Sequence, residues 1–88
     1  MATGKVRSVV DGDTFQIKNG QLIRLANVKA PELGSRGGQA AKAALQSLLK
    51  AGNTVGIGVR GQSYGRPVAN VTKGGKSVNK AMQRKGYK

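Results

Sequence analysis

"VDGDTFQIKNGQLIRLANV", residues 10–28, alternates apolar and polar residues around two turn dipeptides, Asp11-Gly12 and Asn19-Gly20. With "KVRSVV" (5–10) ahead of it, the stretch reads as three β-strands joined by tight hairpins. β-Branched and apolar residues are dense there, and Gly and Asn accept positive φ at little cost. Phe15 and Ile17 share one face of the second strand. In the third, Leu22, Arg24 and Ala26 oppose Ile23, Leu25 and Asn27. Arg24 therefore stands mid-strand, where a charged side chain needs a reason.

Beyond this segment, "KAPELGSRGG" (29–38) breaks the pattern with Pro and Gly. "QAAKAALQSLLKAG" (39–52) then places Ala41, Ala44, Leu45, Leu48 and Leu49 on one helical face, with Gly52 as a C-terminal stop. "NTVGIGVR" (53–60) and "RPVANVTK" (66–73) read as a fourth and fifth strand joined by a loop, "GQSYG" (61–65). Gly56 and Gly58 within the fourth strand suggest a tight bend or a close approach by another chain or helix. "GGKSVNKAMQRKG" (74–86) reads as a turn, a Ser77 cap and a short second helix, followed by polar, basic residues that read as a fraying end. The expected fold class is β with helices (α+β), a five-stranded OB-type Greek-key barrel with a helix after strand 3 and a short C-terminal helix. A ferredoxin-like order, which begins strand then helix, conflicts with the hairpin-rich first third.

The chain has 88 residues, so a single domain over 1–88 is expected, with a modest core. Aromatic residues make up only 3%, so Val, Ile, Leu and Ala must build that core around one Phe, Phe15. A net charge of +13 attracts polyanions, and phosphate backbones are the commonest of these, so nucleic acid is the leading partner class. No segment approaches the ~20 apolar residues of a spanning helix, so no membrane partner is expected. Cys and His are both absent. That excludes disulfide-linked partners, zinc sites of the usual kind, histidine general bases and Ser-His-Asp or Cys-His nucleophiles. "MATGKVRSVV" at the start lacks the apolar run of a signal peptide, so the chain is expected to be intracellular unless a leader precedes it.

Against 16 Lys and Arg stand three acids: Asp11, Asp13 and Glu32. Asp11 and Asp13 could serve only to hydrogen-bond a turn, Glu32 and Arg66 could be solvated loop residues, and Arg24 could snorkel over the barrel wall. Taken together they suit phosphodiester chemistry. Carboxylates can hold a hard cation or activate water, and the planar donor fork of arginine suits charge developing on phosphorus.

"VDGDTFQI", "IRLANVKAPE", "YGRPVANV" and "VNKAMQRKGY", in this order and at these intervals, resemble the staphylococcal nuclease-like (thermonuclease) family. The resemblance implies an OB-type barrel, cleavage of DNA or RNA phosphodiesters, and calcium as the divalent cation. It also implies Asp13 as a metal ligand, with Asp11 beside it as a further candidate. Arg24 and Arg66 become the phosphate-binding arginines, Glu32 the general base, and Tyr64 a residue that contacts the bound nucleotide. One position departs from the pattern: Lys29 stands where active members usually carry an Asp as a second metal ligand. An ammonium there repels a divalent cation and attracts phosphate, so weakened calcium affinity is expected. Two readings follow, a nuclease and a non-catalytic nucleic-acid-binding module of the same fold.

Overall fold

The alternation in the first third does produce strands. A computed structural model describes residues 2–88. In chain order the elements are β1 (Ala2–Asp11), β2 (Thr14–Ile17), β3 (Leu22–Leu25), α1 (Gly38–Leu48), β4 (Thr54–Ser63), β5 (Arg66–Lys73), β6 (Lys76–Ser77) and α2 (Val78–Arg84). It is a mostly antiparallel sheet with two helices, an α+β fold, in the strand order β3-β2-β1-β4-β5-β6. One further pairing joins β3 to β5 in parallel, Arg24 opposite Val68 and Leu25 opposite Ala69. With it, the pairings of β1, β2, β3, β5 and β4 close on themselves, and β6 hangs from β5 as a two-residue addition that the sequence did not suggest.

β1 and β4 are long because each serves two partners. The first half of β1 pairs with β4 and its second half with β2, with register irregularities between Val6 and Ser8 and between Val9 and Asp11. β4 runs unbroken through Gly56 and Gly58, for which the sequence suggested a tight bend or a close approach by another chain or helix. The irregularity falls two residues later, between Val59 and Gly61. β4 also continues through Gln62 and Ser63, so the expected five-residue loop shrinks to Tyr64-Gly65. Both residues have positive φ, 50° and 77°, which suits the twist of a two-residue hairpin.

The alternating apolar residues meet inside. Phe15, Ile23, Leu25, Val6, Val55 and Val71 are buried from the strands, and Leu45, Leu49 and Met82 cover them from the helical segments. Each such side chain contributes ~1.5–3 kcal/mol on removal from water. α1 ends at Leu48, earlier than Gly52 suggested. The turn after it is held by Asn53, whose Oδ1 accepts from the Lys50 N–H at 2.8 Å. Ser77 caps α2 as expected, its hydroxyl accepting from the Lys80 N–H. The chain end is tied down where fraying was expected: Tyr87 packs against the core and its N–H donates to the Met82 carbonyl.

One buried polar side chain links three elements. Asn79, 4% exposed on α2, accepts from the Val71 N–H at 2.8 Å through Oδ1. Its Nδ2 donates to the carbonyls of Ala26 at 2.9 Å and Ala69 at 3.1 Å. Asn79→Ala leaves three buried backbone groups without these partners and is expected to cost about 3 kcal/mol or more. Chemical denaturation of parent and variant measures the loss. A change below about 1 kcal/mol would show that those groups find other partners.

Candidate nucleic-acid interface and active site

Every site residue named from the sequence lines one cavity of about 390 Å³. Asp11 and Asp13 reach it from the β1–β2 turn, Arg24 from β3, and Lys29 and Glu32 from the segment after β3. Tyr64 and Arg66 reach it from the β4–β5 hairpin, and Ala30 and Ser63 fill in between. The backbone explains the convergence. Thr14 is the cross-strand partner of Arg24, and Arg24 is in turn the partner of Val68, two residues beyond Arg66. The Leu25 N–H donates to the Asp13 carbonyl at 2.8 Å, fastening the turn to β3.

Arg24 has its reason. Its Nη2 lies 3.6 Å from Asp13 Oδ2, the one ion pair among the described residues. At that distance, with side chains 26% and 16% exposed, the pair is loose and leaves the guanidinium able to meet an anion. Arg66 is positioned through a residue the sequence reading gave no role. Thr14 is 1% exposed, and its hydroxyl accepts from Arg66 Nη1 at 3.1 Å and donates to Asp13 Oδ1 at 2.9 Å. The only hint was its place directly after the second acid of "DGDT". The Asp13 N–H donates to Asp11 Oδ1, so Asp11 does make the turn contact that its bland reading supposed.

Two glycines set this geometry by close approach rather than by φ. A Cβ on Gly12 would lie 2.6 Å from Ala41 Cβ and 2.7 Å from Ala30 Cβ, so the acidic turn sits directly on α1. A Cβ on Gly38 would collide with the Glu32 carbonyl oxygen, so the first turn of α1 sits against the backbone that carries Glu32. Ser35 also holds that carbonyl, through its hydroxyl at 2.6 Å and its N–H at 3.1 Å. Glu32 thus has a fixed backbone and an exposed carboxylate in no ion pair among the described residues. Tyr64 is 96% exposed, and its positive φ is uncommon for a bulky residue.

Calcium does not fit this set of donors. Among the described residues no three acids converge as a metal-holding group. Asp13 already receives the Thr14 hydroxyl and faces Arg24, Asp11 receives a backbone N–H, and the Lys29 ammonium lines the same cavity. Burial holds the Asp13 carboxyl above its ordinary 3.8, and Asp11 acts in the same direction. The Thr14 hydroxyl and the Arg24 charge oppose this and are outweighed. A carboxyl with a raised folded pKa favours the folded state fully below pH 3.8, and that advantage is lost as pH rises through the folded value. Asp13→Asn keeps an acceptor for Thr14 and removes this loss. The variant is therefore expected to gain stability relative to the parent between pH 3 and neutrality, as read by denaturant titrations at both ends. An unchanged difference would remove Asp13 as the titrating group.

Comparison with known proteins agrees with the geometry. Residues 22–88 match the family described as "Staphylococcal nuclease homologue". A search of curated proteins finds none that matches the chain. The matched segment contains Arg24, Lys29, Glu32, Tyr64 and Arg66. Asp11 and Asp13 precede it and join the site through the β1–β2 turn. With most of its length matched and these residues around one cavity, the chain belongs to the staphylococcal nuclease homologue family.

Proposed function

We propose that this protein is a nuclease that hydrolyses phosphodiester bonds of DNA or RNA in the cavity bounded by the β1–β2 turn, β3 and the β4–β5 hairpin. The observation that carries this reading is the meeting, in one cavity of a +13 chain, of two guanidinium groups with a carboxylate free of any ion pair. The closed order of strand pairings, with α1 after β3 and α2 at the end, supports an OB-type Greek-key barrel, a fold suited to oligonucleotides. The phosphate docks between Arg24 and Arg66, and Tyr64 offers its exposed ring to a base. Water attacks phosphorus while Glu32 takes its proton. The new P–O bond forms as the bond to the leaving oxygen breaks, and solvent protonates that oxygen. The two guanidinium groups hold the charge that builds on the phosphoryl oxygens, each worth ~2.7–4 kcal/mol of barrier by analogy with other oxyanion donors.

Lys29 favours a second reading, a module of the same fold that holds nucleic acid without cutting. It places a third cation in the cavity, at the position where the family resemblance implies an acidic metal ligand. Two substitutions separate the readings. Glu32→Gln keeps size and removes the base. It is expected to lower cleavage of single-stranded DNA by about 100-fold or more with binding nearly intact, and a variant that cuts like the parent would take Glu32 out of the mechanism. Lys29→Asp adds a carboxylate beside Asp13 and Glu32, so calcium titration by calorimetry should show binding in the variant that exceeds the parent's, with faster cutting. On the binding-module reading the same change only weakens DNA binding and lowers the salt slope by about 0.7 for the one lost contact.

A further inference from the structure

The three acids of the sequence all line the cavity just described, so the Lys and Arg side chains away from it have no Asp or Glu beside them. The positive charge there is ordered. Lys80 and Arg84 stand four residues apart along one side of α2, and Lys76, in β6, precedes the helix by two residues. Like charges at this spacing repel, and Lys80 stands in the first turn, where the helix dipole disfavours a cation. α2 has no acid in that turn to compensate. Arg84 in the last turn suits the dipole, but Lys80 in the first turn and its repulsion from Arg84 cost the helix stability, which points to a use outside it.

The surface between these residues is concave and leads back to the cavity. One depression is lined by Lys76, Lys80 and Arg84, and the next shares Lys80 and Arg84 and adds Gln83 and Lys88. A third shares Gln83 and Lys88 and is completed by Asn27, Arg24 and Lys29, the last two of which also line the candidate active site. Adjoining depressions with common walls thus form one cationic path from the cavity to the start of α2. Lys80 and Arg84 are about 6 Å apart along the helix axis. At that spacing the two long side chains can reach phosphates of one strand.

We propose that Lys76, Lys80 and Arg84 form a second backbone-binding track, which holds the phosphates of a nucleic-acid strand that leaves the cavity past Arg24, Lys29 and Lys88. The proposal rests on the cavity's being a nucleic-acid site and adds to it a requirement for substrate length. The track reads no bases, because its charged groups present donors suited to phosphate oxygens. It favours strands long enough to reach from the cavity to Lys76.

The test compares a three-nucleotide and a twenty-nucleotide single-stranded DNA, titrated over a range of salt concentrations. The proteins are the parent, a track variant (Lys76→Gln, Lys80→Gln, Arg84→Gln), a charge-matched control (Lys5→Gln, Arg7→Gln, Lys50→Gln) and a cavity variant (Arg24→Gln, Arg66→Gln). The track variant is expected to bind the long strand about tenfold or more weakly. Its salt slope should be shallower by about 2, at ~0.7 per lost contact, and its affinity for the short strand unchanged. The control should stay close to the parent on both strands. Equal losses in track variant and control, or a long-strand affinity that the track variant leaves intact, would overturn the proposal. A cavity variant that binds the short strand like the parent, while the track variant loses the long one, would leave the track standing and overturn the reading of the cavity. Phosphatidylserine vesicles serve as a further arm. Vesicle binding that depends on the track, with long-strand binding unaffected, would assign it to a membrane surface instead.

Discussion

The closure of β3 onto β5 decides where the functional groups lie, and Asn79 is the residue that stabilises it. β3 leaves the parallel pairing after two residues, and a backbone turning away there would otherwise bury polar groups without partners. Asn79 supplies them to Ala26, Ala69 and Val71 at once, and the Ala26 N–H adds its own bond to the Ala69 carbonyl. One side chain thereby joins the end of β3, the middle of β5 and the first turn of α2. Buried hydrogen bonds add modestly to stability when made and cost much more when broken, so this connection fixes one arrangement over its alternatives. Arg24 lies two residues before Ala26 and Arg66 three before Ala69, so the same connection sets the spacing of the two guanidinium groups.

The electrostatics of the molecule follow from scarcity. With only three acids, each carboxylate sits where it can do local work, and none is spent neutralising the outer surface. Asp13 balances Arg24 loosely while its oxygens orient Thr14, and Thr14 orients Arg66. The cavity thus holds its cations in position without cancelling their field. Outside it the excess positive charge is uncompensated, which destabilises the folded chain by self-repulsion and favours association with polyanions.

Residue by residue, the legible parts of the sequence were those set by short-range rules. Alternation placed Phe15, Ile17, Ile23 and Leu25 in the core, the helical spacing of Ala41 and Leu45 gave α1 its buried face, and Ser77 capped α2. Where a tertiary constraint replaced the local one, the reading missed. Gly12 looked like a turn residue chosen for φ, yet its need is room beneath Ala30 and Ala41. Gly56 and Gly58 suggested a tight bend or a close approach, and there is no bend at them, because they lie in a strand paired to neighbours. Thr14 and Asn79 carried no periodic or motif signal strong enough to mark them, because their worth lies in partners 52 and 53 residues away in sequence.

By itself the sequence determined the strand-rich first third, the helix after it and the net positive charge, and it singled out the short list of residues proposed to act on phosphate. Composition and periodicity are properties of the chain, and they act before it folds. Tertiary structure alone decided that these residues share one cavity and that Thr14 holds Asp13 and Arg66 in register. It also placed Lys80 and Arg84 of α2 on depressions that adjoin, through shared walls, the one beside that cavity. The reason is geometric: residues 14 and 66 meet because the β3–β5 pairing closes the order of strands, and no local rule of the chain specifies a long-range parallel pairing of two residues.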